Sequence, residues 1–201
     1  MYPVSFSADY VEGRSRLTTF FRIILAIPHF FVVAGFAIVA FVCVVIAWFA
    51  ILITARYPPG LYGFVSRFVL YATQVNGYVT FLTDEYPAFG GSEQYPVRMS
   101  FSGPLEQYSR LKTGFRVILA IPIVILRYVA AILTEVGAFF AWIVIVITAN
   151  MPRGLQDLLV LAESFTARSD AYLFLLTETY PPAREDLQAA LTGTSADGPT
   201  P

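Results

Sequence analysis

The chain has 201 residues, 57% of them hydrophobic and 13% charged, with a mean hydropathy of +0.65 and a net charge of -1. A soluble domain is typically about a quarter charged, so this balance belongs to the membrane class, and with no dense Lys/Arg block a nucleic-acid footprint is missing. Cys43 is the only cysteine and His29 the only histidine. Internal disulfides, a cysteine zinc cluster and a conventional His-based triad or metal site are therefore excluded, no cofactor is expected, and both residues are read as packing groups.

In chain order, the opening Tyr2-Pro3-Val4 reads as a short strand or extended arm, and Arg16, Thr19 and Arg22 then share one side of a basic helical start. The run Ile23–Ile53 carries no formally charged side chain, and roughly 20 apolar residues suffice to cross a bilayer. It is too long for a signal-peptide core and is expected to be retained. Pro28 interrupts it early and should kink or restart the helix, because a proline ring cannot donate the backbone N–H. The helix should end near Ala55, at the Pro-Gly-bearing loop "RYPPG".

An amphipathic helix is expected over Leu61–Thr83, with Ser66, Arg67, Thr73, Gln74, Gly77 and Thr80 on one side. The same order then returns. A second arm with Tyr95, Val97, Met99 and Phe101 precedes a second basic start, the apolar run Val117–Ile147 to about Ala149, the loop "NMPRG" and a second amphipathic helix over Leu155–Thr177. The tail "TGTSADGPTP" is expected to be disordered.

Sliding the sequence on itself so that Ser15 meets Ser109 aligns "SRLTTFFRIILAIP" with "SRLKTGFRVILAIP" without a gap, and later "AWFAILITA" with "AWIVIVITA". More than a third of the positions from Arg14 to Pro87 are identical to their counterparts, which marks an internal duplication. The expected architecture is an all-α integral membrane protein of two tandem pseudo-symmetric repeats, residues 1–93 and 94–184, with a polar tail at 185–201. Each repeat would hold a short arm, a Pro-kinked long apolar helix and an amphipathic helix, with a small β pairing of the two Tyr-Pro-Val arms.

Lysine and arginine positions rank the crossing schemes. If each repeat crosses out through its long helix and back through its amphipathic one, most basic residues share one side, which makes the protein multi-pass with both termini cytoplasmic. An inverted pair of single crossings splits the basic residues evenly and orients nothing. A hairpin of the apolar run near Gly35 satisfies the charges but has poor turn chemistry in "AGFAIVAF". The first scheme is preferred.

Function-bearing residues are sought among the charges. Arg16, Arg22, Arg110 and Arg116 recur in both repeats and could clasp lipid phosphates, while Asp84, Glu85 and Glu178 should pair with these arginines. Arg127 and Glu135 interrupt the second apolar run, and an ionisable group at bilayer depth costs roughly 2.5–3.5 kcal/mol and is usually paired or functional. Eight positions apart, about 12 Å along a helix, the two cannot easily touch. Ala130, Thr134 and Ala138 form a small-residue ridge suited to close helix approach, either between the halves or at a subunit interface.

The string "YPV…SR…ILAIPH…AWFAILITARYPPGL…NGYVTFLTDEYP" resembles the bacterial membrane family catalogued as domain-of-unknown-function family 4389, over about 2–87 and again over 95–181. The second copy departs at Ile123, where the first has His29, and at Asn150, where it has Arg56. The resemblance implies a membrane fold in the bacterial cytoplasmic membrane and carries over no catalytic residue. The expected role is a non-enzymatic scaffold or accessory subunit that binds membrane lipid, a membrane protein partner or a second copy of itself. The alternative is a small transporter or channel around Glu135.

Overall fold

The computed structural model describes residues 2–181; the tail expected at 185–201 lies outside the described residues. The elements in order are β1 (Val4–Ala8), α1 (Arg16–Thr54), α2 (Pro59–Val79), β2 (Val97–Phe101), α3 (Arg110–Gly114), α4 (Arg116–Thr148) and α5 (Arg153–Leu173).

Local chemistry places the boundaries twice over. Ser15 caps α1 by accepting from the Thr18 N–H, and Ser109 caps α3 by accepting from the Lys112 N–H. The long helices stop at Ala55 and Ala149, both left-handed (φ 57° and 60°), with Pro58 and Pro152 following. The amphipathic helices end earlier than expected, at Val79 and Leu173. Phe81 and Leu175 take positive φ, and the N–H groups of Leu82 and Leu176 reach back to the carbonyls of Gly77 and Ala171, which closes each helix in a Schellman-type turn.

Neither proline ends its helix. α1 runs unbroken through Pro28 and Gly35, and α4 through Pro122, so neither a restart at the proline nor the hairpin at Gly35 occurs. Pro28 leaves the Ile24 carbonyl without its helical donor, and one residue on, the Leu25 carbonyl accepts from the Tyr86 hydroxyl at 3.1 Å.

The elements stack in three layers. α1 packs on α2 and α4 on α5, α2 and α5 touch each other, and β2 and β1 lie against α2 and α5 respectively. The strands pair antiparallel, Val4 opposite Phe101 and Ala8 opposite Val97, as the arms predicted. Each long helix buries one narrow stripe along its length: Thr19, Arg22, Ala26, His29, Ala40, Ala47 and Ile51 on α1, with matching positions on α4. The intervals of three, four, seven and eleven are those of a helix packed along a single seam. The rest of both circumferences is exposed and apolar, with Phe31, Ile38, Val117 and Phe139 each at least 60% accessible.

The two long helices are antiparallel. The Arg14 N–H donates to the Ala149 carbonyl and the Tyr108 N–H to the Ala55 carbonyl, each at 2.8 Å, so each long helix begins beside the other's end. This overturns the preferred scheme, in which both long helices cross in the same sense. The charge count assumed that the ends of successive helices lie on opposite membrane faces; backbone pairing joins them the other way round.

Candidate functional site

Four arginines recur in the duplicated sequence, but only two stay at the surface. Arg22 and Arg116 are 1% and 5% exposed. The Arg22 guanidinium donates to the carbonyls of Tyr78 (2.8 Å) and Thr83 (2.9 Å) and pairs with Asp84; Arg116 donates to the carbonyls of Tyr172 and Thr177. Each also lies over an aromatic ring, Tyr78 for Arg22 and Tyr172 for Arg116. The Schellman turns leave these carbonyls converging on one point, and a planar fork of donors fits them. The expected headgroup role of Arg22 and Arg116 is therefore corrected: they latch the end of each amphipathic helix to the start of its long helix. Asp84 and Glu178 close the same corner by accepting from the N–H groups of Ser15 and Ser109. Arg16 and Arg110 are exposed, and Arg16 also donates to the Ile147 carbonyl at 2.9 Å.

His29 is fully buried, its Nδ1 2.6 Å from the Tyr71 hydroxyl and its ring against Tyr86 and Phe89. Cys43 is half-buried against the core. Among the described residues no group of three His, Cys, Asp or Glu side chains is placed to hold a metal ion.

Besides His29, a second departure from the pseudo-symmetry is a groove of about 660 Å³ between the repeats, within the size range of small-ligand sites. Ile23, Val79, Phe81, Phe139 and Trp142 form its apolar walls, and Asn76, Thr80, Thr134, Glu163 and Thr166 its polar lining. Glu163 is 2% exposed, and both its carboxylate oxygens accept from the Asn76 side-chain amide, at 2.8 and 2.9 Å. Burial pushes its carboxyl up to about 7, against the opposing pull of Asn76, Arg127 and Thr134.

The predicted charges take their places around it. Arg127 pairs not with Glu135 but with Asp170 of α5, through Nε to Oδ1 at 2.7 Å and Nη2 to Oδ2 at 3.3 Å. Glu135 is exposed and lines the groove. The ridge of Ala130, Thr134 and Ala138 forms no outward docking surface: Ala130 and Thr134 are buried within the seam, and Thr134 and Ala138 line the groove. A close helix approach is next to it, where a Cβ on Gly137 would meet Leu159 at 3.0 Å.

Sequence reading missed Glu163 as the central carboxylate and Asn76 as its partner, because charges on an amphipathic helix read as a solvated face. The duplication held a usable signal. Glu163 aligns with Val69 and Thr134 with Ala40, two positions where the second repeat turns polar on a packed face.

No curated protein and no solved structure matches the chain. A family profile, described as "Domain of unknown function (DUF4389)", matches residues 16–90 and again 110–184, on the two duplicated units and most of the chain. Two tandem copies of that domain fall on the two halves that carry the paired latches, and the chain belongs to this family.

Proposed function

We propose that the protein is a membrane-resident scaffold or accessory subunit that works by holding lipid rather than by covalent chemistry. In this reading the α1 and α4 layer is immersed in one leaflet and the β1–β2 ribbon is in water. The observation that carries it is the opposition of the two outer faces. Both long helices qualify as membrane segments by length and hydropathy, and most of their surface is exposed. The ribbon on the far side turns Ser5, Arg98 and Ser100 outward, and each strand has an edge unpaired by the other.

A spanning orientation fits less well. The ribbon lies beside α2 and α5, with Val97 against Gly77 and Met99 bonded by Thr73. If the helices stood along the membrane normal, it would sit at the level of the apolar runs, where unpaired strand edges have no partner in lipid. α1 is 39 residues, about 58 Å at 1.5 Å per residue, against a hydrocarbon core of about 30 Å. Lying flat removes both conflicts. It also sets exposed Arg16 and Arg153 at one end and Arg56, Arg110 and Lys112 at the other on one headgroup plane, where each basic residue contributes about 1 kcal/mol of attraction to anionic lipid.

Single cysteines at Arg56 and Arg153, in a Cys43→Ala background, test the orientation. An impermeant maleimide should label both from the same side of sealed vesicles. Labelling from opposite sides would replace the flat reading with an inverted crossing. Tyr57 and Met151, at the same loops, are buried and unsuited to labelling. Transport is the second reading, favoured by the groove beside Glu135; liposome flux unchanged in Glu135→Gln and in Glu163→Gln would remove it.

A further inference from the structure

We infer that the groove between the repeats is a binding site for a single-chain amphiphile with a cationic amine head, the ammonium seated at Glu163 and the chain leaving between Ile23, Phe139 and Trp142. The inference rests on the membrane reading above and names the ligand class of that site. Three observations carry it.

The first is polarity along the groove. The lining joins apolar walls, Ile23, Phe139 and Trp142, to the hydrogen-bonding groups of Asn76, Thr134, Glu135 and Glu163, with Glu163 and Thr134 the most deeply buried of these. An occupant must therefore be polar at its inner end and apolar along its length. The second is charge. Asp170 already holds Arg127 in a two-point ion pair, and among the described residues neither Glu163 nor Glu135 makes a salt bridge. One Asn76 amide nitrogen serves both Glu163 oxygens, which leaves acceptor capacity on the carboxylate. A phosphate or carboxylate head would be repelled there, and an ammonium would complete the site with charge-assisted hydrogen bonds.

The third is a hydroxyl beside the carboxylate. Thr134 lines the groove at 5% exposure, and its hydroxyl is close enough to Glu163 to pull on that carboxyl. A hydroxyl oxygen can still accept, and an ammonium, with three donors, could serve Thr134 and Glu163 together. The pseudo-symmetric positions carry none of this. Val33, Ala40, Phe41 and Val69 stand where the groove has Arg127, Thr134, Glu135 and Glu163, so the chain has one such site and an internal control for it.

Trp142 is one of two tryptophans, and Trp48→Phe leaves it as the sole reporter at the groove wall. The full chain carrying that change is placed in phosphatidylcholine nanodiscs and titrated with bromine-bearing octadecylamine, octadecanol and octadecanoic acid, which quench tryptophan on contact. The amine should quench at a mole fraction about tenfold lower than the alcohol or the acid, the ratio expected of one additional charge-assisted contact. Glu163→Gln should bring the amine to the level of the alcohol. Quenching by all three in proportion to mole fraction, equal quenching by alcohol and amine, or an amine response unchanged in Glu163→Gln would each overturn the inference. Failure of the membrane reading is distinguishable, since it would appear earlier as a chain that neither enters nanodiscs nor floats with vesicles.

Discussion

Four residues of repeat 2 at the groove, Arg127, Thr134, Glu135 and Glu163, stand where repeat 1 has Val33, Ala40, Phe41 and Val69. The corners of the two repeats, by contrast, match almost atom for atom, with Arg22 and Arg116 on equivalent carbonyls and Asp84 and Glu178 on equivalent serine N–H groups. What both copies share is the machinery that holds a long helix to its amphipathic partner. What they do not share is concentrated in one groove. Duplication thus separates fold from function: a feature needed by each unit is present twice, and a site needed once is built by letting one copy diverge.

The largest effect should come from the shared corners. Arg22→Ala and Arg116→Ala each strand several buried carbonyls, and Arg22→Ala also strands Asp84; a loss of about 3–5 kcal/mol is expected for either. Thermal unfolding in detergent would measure it, and Lys should not restore it, because an ammonium lacks the planar fork. Strongly unequal losses would break the equivalence of the two corners.

The diverged groove should announce itself by pH. Glu163 ionises near 4.5 when unfolded and near 7 when buried, so between those values the native chain holds a proton that the unfolded chain has lost. Its contribution to stability is full below the unfolded value and drains away as pH rises to the folded one, by up to about 3 kcal/mol in all. Melting temperatures across pH 4 to 8, about the window set by that linkage, should decline in the native chain and flatten in Glu163→Gln. A decline that persists in the variant would assign it to another group.

A smaller contrast sits under the ribbon. Gly77 of α2 lies where repeat 2 has Ala171. A Cβ on Gly77 would come 2.9 Å from Val97, so Gly77→Ala should cost about 1–2 kcal/mol by pushing β2 off α2. The smallest effect is expected at the exposed Asp9–Arg98 pair across the ribbon. Asp9→Asn should shift stability by no more than about 0.5 kcal/mol, and a larger loss in the same melting assay would show the ribbon less solvated than the flat orientation requires.

Much of the architecture was legible because it is local. Ser15 and Ser109 announce helix starts, the Pro-Gly loops announce ends, and the alternation through Val97, Met99 and Phe101 announces a strand that found its predicted partner. Pro28 misled: a long apolar helix retains enough other hydrogen bonds to continue past one missing donor. Glu163 was hidden because helical periodicity shows which residues share a face, not whether that face meets water or Asn76.

By itself the sequence determined that this is a duplicated, apolar chain with two helices long enough for a membrane and two short strands able to pair. Those properties are set by composition and by residues close together along the chain. Only the tertiary structure decided that the long helices run antiparallel, that two of the four repeated arginines are buried latches, and that Asn76 meets Glu163 across the repeats. A buried stripe of spacing three and four packs equally well against a partner running either way. The choice is made by contacts between residues more than a hundred positions apart, such as Arg14 with Ala149, which no local pattern encodes.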